Sequence, residues 1–287
     1  MTATRILFPI RFTEYSPTLY PPRACLAGSL HKLRRALDVP VDETKPTVSS
    51  EVRAWWREHR PRAGFVRTSR SLCAIGWEFL RESLPDRSRQ RYGDVEYDWE
   101  HRVDTTSANV TWKARLIGLL NSSYQPIESD LFQEMLNRLD IDCGQFIFID
   151  IGSGKGRPLL MASEYPFRRI VGVEFLPELN AIAQENIRKF PRERMRCQTI
   201  EASLGDAAAF PFPPEPLVVF MFHPLPESGF RKVMHNLRRS VEENPRPVWL
   251  IYANPLFEQI VLQTARLKKT AGTHQYSIFR GDPDAWD

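Results

Sequence analysis

Cysteine is scarce in this 287-residue chain: Cys25, Cys73, Cys143 and Cys197 are the four present, and no two stand at C-x-x-C spacing. That excludes a disulfide framework and argues against a zinc site, so the thiols read as small apolar side chains of a reducing compartment. Long apolar runs are missing as well. No stretch reaches about 18 consecutive apolar residues, which excludes a membrane-spanning helix. The opening residues, Met1 to Arg11, lack the uninterrupted apolar core of a secretory signal, and a cytoplasmic protein is expected. Internal repeats and low-complexity tracts are absent. What remains, 42% apolar and 26% charged residues of mixed sign, describes a folded protein rather than a disordered one.

The net charge of +4 is also small, yet it is unevenly spread. Residues 1–95 hold 17 Lys and Arg against 10 Asp and Glu, whereas residues 96–287 hold 22 against 25. Five of the seven tryptophans (Trp55, Trp56, Trp77, Trp99 and Trp112) precede residue 113. A basic, Trp-rich front suits an acidic partner such as nucleic acid. The dispersal of the charges favours a plainer arrangement, a helical cap whose tryptophans pack on the main domain.

Hydrophobic periodicity divides the chain the same way. Before residue 95 it is helical and broken by proline: Leu26 to Leu37 ending at Pro40, a linker at 41–50, a short helix from Ser50 and Glu51 stopped by Pro61, and another over Leu72 to Leu80. Residues 86–112 show no sustained period and read as a connector. From Pro126 a helix carries Ile127, Leu131, Met135 and Leu139 on one face. Strand-length apolar runs then alternate with amphipathic helices: 146–151, 169–174, 195–200, 216–222 and 247–252, with a final edge strand at 275–279. Such alternation predicts an α/β protein with a Rossmann-like, doubly wound, mostly parallel sheet. Two domains are expected, a helical N-terminal extension and connector at 1–107 and a ligand-binding domain at 108–287.

The most informative stretch is Asp150-Ile151-Gly152-Ser153-Gly154-Lys155-Gly156, directly after the first strand and opening a helix. Glycines at alternate positions let the backbone turn tightly and approach a ligand closely. The third glycine arrives one residue early for G-x-G-x-x-G, and Gly156 stands where a P-loop requires Ser or Thr. A carboxylate at Asp150 would repel a pyrophosphate but suits a cationic ligand. Glu174 ends the second strand, where it can accept from both ribose hydroxyls, and Asp206 follows the third, placed to accept from an adenine amino group.

Together these residues resemble the class I S-adenosylmethionine-dependent methyltransferases over roughly residues 124–260. The resemblance implies that Asp150, Gly152, Gly154, Gly156, Glu174 and Asp206 bind S-adenosylmethionine. Locally the chain is similar to the non-SET histone-lysine methyltransferases, in the Phe-x-Asp-x-Gly-Ser-Gly-x-Gly strand and loop and the following Gly172-Val173-Glu174. Their ordered segment before the core helix corresponds to Tyr124-Gln125-Pro126-Ile127-Glu128, with Tyr124 over the methionine end of the cofactor.

The acceptor side falls after the fourth strand, where amine-methylating relatives carry Asn or Asp, prolines and an aromatic. Here the residues are Phe222-His223-Pro224-Leu225-Pro226. His223 is a base or a polar wall residue, and Asn254, after the fifth strand, is a second acceptor-side candidate or a helix cap. Lys155 is expected to face solvent. Tyr92, Asp94, Asp98 and Asp104 form a lid or serve structure alone. The expected partner is a small-molecule or protein acceptor bearing an amine or hydroxyl, with nucleic acid less favoured, no membrane and no metal. The alternative is a non-catalytic protein that keeps the fold for binding or regulation.

Overall fold

The computed structural model describes residues 47–82, 95–107, 110–113, 116–117, 125–222, 225–264 and 266–282. Tyr92, Asp94, Tyr124 and His223, and the helix expected at Leu26 to Leu37, lie outside the described residues.

Helix α1 spans Val48–Glu82. Its start lies inside the expected linker, because Thr47 and Ser50 cap each other: the Ser50 amide donates to Thr47 Oγ1 (3.1 Å) and the Thr47 amide to Ser50 Oγ (2.9 Å). Pro61 does not stop it. The break comes at Gly64, whose φ of 76° and ψ of 166° lie where only glycine is comfortable. The tryptophans do not all pack inward as expected. Trp77, Trp99 and Trp112 are 69%, 86% and 58% exposed, and Trp55 stacks on His59 of its own helix, with ring centroids 4.2 Å apart. The connector, expected to be irregular, contains α2 (Val95–His101).

Seven strands form one sheet: β1 (Ile147–Ile151), β2 (Arg169–Glu174), β3 (Ile200–Leu204), β4 (Leu217–Phe222), β5 (Val248–Ala253), β6 (Lys268–Gly272) and β7 (Tyr276–Gly281). Their order is β3-β2-β1-β4-β5-β7-β6. The first five are parallel, and β7 runs antiparallel to both β5 and β6. Helices α3 (Ser129–Asn137), α4 (Arg157–Ser163), α5 (Pro177–Lys189), α6 (Glu227–Glu243) and α7 (Glu258–Thr264) complete the domain. Strands β1, β4 and β5 are apolar on both faces because both faces are covered. Phe132 of α3 meets Phe148 and Phe220 edge-on, with centroids 6.0 and 5.4 Å away. Elsewhere in the core, Phe230 of α6 stacks on Tyr252 at 4.9 Å.

Three boundaries differ from expectation. β3 begins at Ile200 instead of Met195, because the amides of Arg196 and Cys197 both donate to the Ser163 carbonyl and cannot join a ladder. Helix α3 starts three residues after Pro126. β7 is interior, and the edge is β6, Lys-Lys-Thr-Ala-Gly, too polar to read as a strand; its lysines suit an unpaired edge.

Arg246 closes α6. It is 3% exposed and donates to the carbonyls of Ser240 and Asn244 and to Ser240 Oγ, at 2.7 to 2.8 Å. Burial pulls its pKa down to about 10. Replacing it with Met takes the guanidinium donor from the Asn244 carbonyl and Ser240 Oγ and leaves the Ser240 carbonyl the Asn244 amide alone. Arg246→Met is expected to lower stability by about 2–3 kcal/mol, read as the midpoint shift in urea unfolding with unchanged slope.

Candidate functional site

In this sheet the crossover from β3 to β4 passes over β1 and β2, so the switch point lies between β1 and β4. Ligands of open α/β sheets bind there, beyond the carboxyl ends of the strands. The glycine loop leaves the end of β1 and sits across β2: the amides of Gly152 and Ser153 both donate to the Val173 carbonyl, at 2.8 and 3.1 Å. All three loop glycines have left-handed φ values of 78°, 54° and 83°. At Gly156 a Cβ would also lie 3.0 Å from Ala183 Cβ on α5.

Two carboxylates flank this loop. Glu174 is 7% exposed; its Oε2 accepts from the Gly154 amide (2.8 Å) and its Oε1 from the Leu176 amide (2.7 Å). Burial still holds its pKa above the usual range against those donors. Asp150 is 2% exposed, and its Oδ2 is buried with no hydrogen-bond partner among the described residues. Burial, and then the charge of Glu174, push its pKa well above the ordinary value. A buried acid with an unpartnered oxygen beside a second buried acid is costly in a free protein and calls for a ligand rich in donors or positive charge.

Asp206 lies just past β3, next to this pair: the Gly205 amide donates to the Glu174 carbonyl at 2.9 Å. Asp206 is exposed, and its Oδ1 accepts from the Ala208 amide (2.8 Å). Asn254 follows β5, exposed, with φ of 51°. Phe222 and Ala253 are register partners, so the chain leaves β4 and β5 side by side. The structure thus groups Asp150, Glu174, the loop glycines and Asp206 over β1–β3, and sets Asn254 apart over β5.

Lys155 is a correction. It was expected in solvent but is 0% exposed, its Nζ donating to Asp104 Oδ1 at 2.7 Å. Asp98 is structural: its carboxylate accepts from the amides of Thr105 (2.6 Å) and Thr106 (2.9 Å) and from the Thr105 hydroxyl. Sequence reasoning missed Asn186 and the reason for Gly172. A glycine inside a buried strand marks close approach, and a Cβ at Gly172 would meet Leu159 Cδ1 at 2.6 Å and Ser153 Oγ at 2.7 Å.

No protein-family model matches the chain, and no curated protein matches it either. Solved structures do. An RNA methyltransferase from Salinibacter ruber, in complex with S-adenosyl-L-homocysteine, is 22% identical, with 54% of this chain and 91% of that one covered and a TM-score of 0.35. A precorrin-6y C5,15-methyltransferase from Geobacter metallireducens is 15% identical over 53% of this chain and 88% of its own, with a TM-score of 0.41. The sheet itself, with five parallel strands and helices between them, is Rossmann-like. Phosphoethanolamine N-methyltransferase 2 of Haemonchus contortus, in complex with S-adenosyl-L-methionine, is 19% identical over 46% of this chain and 29% of its own, with a TM-score of 0.34. Among the described residues no group of three His, Cys, Asp or Glu is placed to hold a metal, and no helix is long and apolar enough to cross a membrane.

Proposed function

We propose that this protein is an S-adenosylmethionine-dependent methyltransferase. The observation that carries the reading is the unpartnered, buried Oδ2 of Asp150 beside Glu174, at the switch-point end of β1 and under a loop of three left-handed glycines. A dinucleotide pyrophosphate would meet repulsion there, whereas the sulfonium and amino group of S-adenosylmethionine bring positive charge and donors. Glu174 accepts from backbone amides on both oxygens, and a carboxylate has about four acceptor sites, so it keeps capacity for a ribose hydroxyl. Asp206 is assigned to the adenine amino group and, on the sequence resemblance alone, Tyr124 to the methionine end.

The bound cofactor supplies a methyl group on positive sulfur, already activated for in-line displacement. The chain's own work is alignment and exclusion of water. Asn254 orients the acceptor from the end of β5, and His223, next in sequence after β4, takes its proton when the acceptor arrives as an ammonium or hydroxyl. The acceptor is an amine or hydroxyl of a small molecule or a protein lysine.

Calorimetric titration of the intact chain with S-adenosylmethionine and S-adenosylhomocysteine tests this. Binding of both is expected, in about the 1 μM–1 mM range common for enzyme substrates. Heat with NAD and none with either methyl-donor species sinks the reading.

A further inference from the structure

A loop with glycine at three of five positions is intrinsically loose, since glycine has the most backbone freedom to lose. Something must hold it. One restraint is Glu174, through the Gly154 amide, but that carboxylate is also the one a ribose would engage. The others belong to residues with no place in ligand binding. Lys155, between Gly154 and Gly156, turns its fully buried side chain to the connector and donates to Asp104 at 2.7 Å. Asn186 of α5, 1% exposed, completes the arrangement. Its Nδ2 donates to the Lys155 carbonyl (2.9 Å) and the Asp104 carbonyl (2.8 Å), and its Oδ1 accepts from the Asp104 amide (2.9 Å). The other cation flanking Gly156 meets the same connector: the Arg157 guanidinium lies 4.2 Å over the Tyr97 ring, and His101 stacks with Tyr97 (4.1 Å) and with Phe190 (5.3 Å).

We propose that Asp104, Lys155 and Asn186 form a clamp through which the connector at 95–107 fixes the glycine loop and thereby sets cofactor affinity. Lys155 and Asp104 are positioning residues: they touch the loop, and the loop touches the cofactor. The cofactor arm of this proposal rests on the methyltransferase reading above; the loop arm does not. Asp104 has a half-open side chain, with 37% exposure, while Lys155 has none, so the pair is anchored at its buried end and adjustable at the other. An exposed ion pair contributes little, but here the lysine would otherwise be a buried charge without a partner. The lysine therefore depends on Asp104, and loss of the pair loosens the loop.

The test uses the full chain as wild type, Lys155→Met, Asp104→Asn, the double variant, and Leu237→Ala in the core of α6 as a destabilised control. Two quantities are measured: calorimetric affinity for S-adenosylmethionine, and amide hydrogen exchange of the segment 152–157 without ligand. Both single variants are expected to bind about 10- to 100-fold more weakly, the scale of a misplaced binding loop. They should also exchange faster at 152–157, and the double variant should lose no more than the worse single one. Leu237→Ala should bind as wild type does. Single variants within twofold of wild type in affinity and exchange overturn the clamp, as does an equal affinity loss in Leu237→Ala. Should Lys155→Met not fold, Asp104→Asn carries the test. If the wild type binds no S-adenosylmethionine, the methyltransferase reading falls, and exchange at 152–157 alone decides the clamp.

Discussion

Asp150→Asn is expected to abolish binding of S-adenosylmethionine while making the free protein more stable. The two effects have one cause. In the free protein Asp150 is a buried carboxyl with an unpartnered oxygen and an acidic neighbour, so its ionised form is opposed both by burial and by Glu174. An amide of the same shape removes the charge and relieves Glu174, so the free protein should gain stability at pH values where Asp150 would be ionised. It also removes the acceptor that a cationic, donor-rich ligand requires, and affinity should fall by at least about 100-fold, as for loss of a charged partner in a dry site.

The pH dependence separates this from simple misfolding. Asp150 and Glu174 have folded-state pKa values above their ordinary ones, so the folded chain holds more protons than the unfolded chain. Stability from this pair is therefore greatest below the unfolded value near 4 and declines as pH rises through the raised folded values. Ligand binding runs the other way: it favours the ionised acids, releases protons, and tightens across the same window. Thermal unfolding from pH 4 to 8, with calorimetry in two buffers of different ionisation enthalpy, checks both signs. A flatter stability profile is expected in Asp150→Asn, its remaining slope coming from Glu174; an Asp150→Asn protein that binds as wild type does would remove Asp150 from the site.

Much of the sheet was legible because β1, β2, β4 and β5 are buried on both faces and must be continuous apolar runs. Their ends fix the loops, so the alternating glycines and the strand-end acids could be placed from sequence spacing. The losses share a different physical origin. Whether Met195–Ile200 or Ile200–Leu204 pairs with β2 depends on which amides the Ser163 carbonyl captures, a tertiary fact. β6 is polar because it is an edge. The Lys155 side chain is buried because Asp104, 51 positions earlier in the chain, reaches it. Nothing local distinguishes that lysine from a solvated one.

Gly172→Ala should be damaging although it adds a single methyl. In a strand, alanine is ordinarily the better residue, by roughly 0.5–1 kcal/mol, since it has less backbone freedom to lose. Here the added carbon would stand 2.6 Å from Leu159 Cδ1, 2.7 Å from Ser153 Oγ and 2.8 Å from Ser153 Cβ. Leu159 is 0% exposed and Ser153 2%, so neither can swing into solvent. Overpacking of this kind costs about 1–3 kcal/mol, which outweighs the propensity gain. The path of least resistance is for the loop to lift, because Ser153 lies between two glycines that can re-orient, while Leu159 is wedged in α4. Lifting the loop strains the Gly154 contact to Glu174 and the Lys155 contact to Asp104 together. S-adenosylmethionine affinity should therefore fall by more than about tenfold even where the domain remains folded. Gly76→Ala, in α1, is the matched control: nothing lies within 4 Å of its added carbon, and a small gain in stability with unchanged binding is expected. Equal affinity in wild type and Gly172→Ala would mean that the loop's seat on β2 does not govern the site.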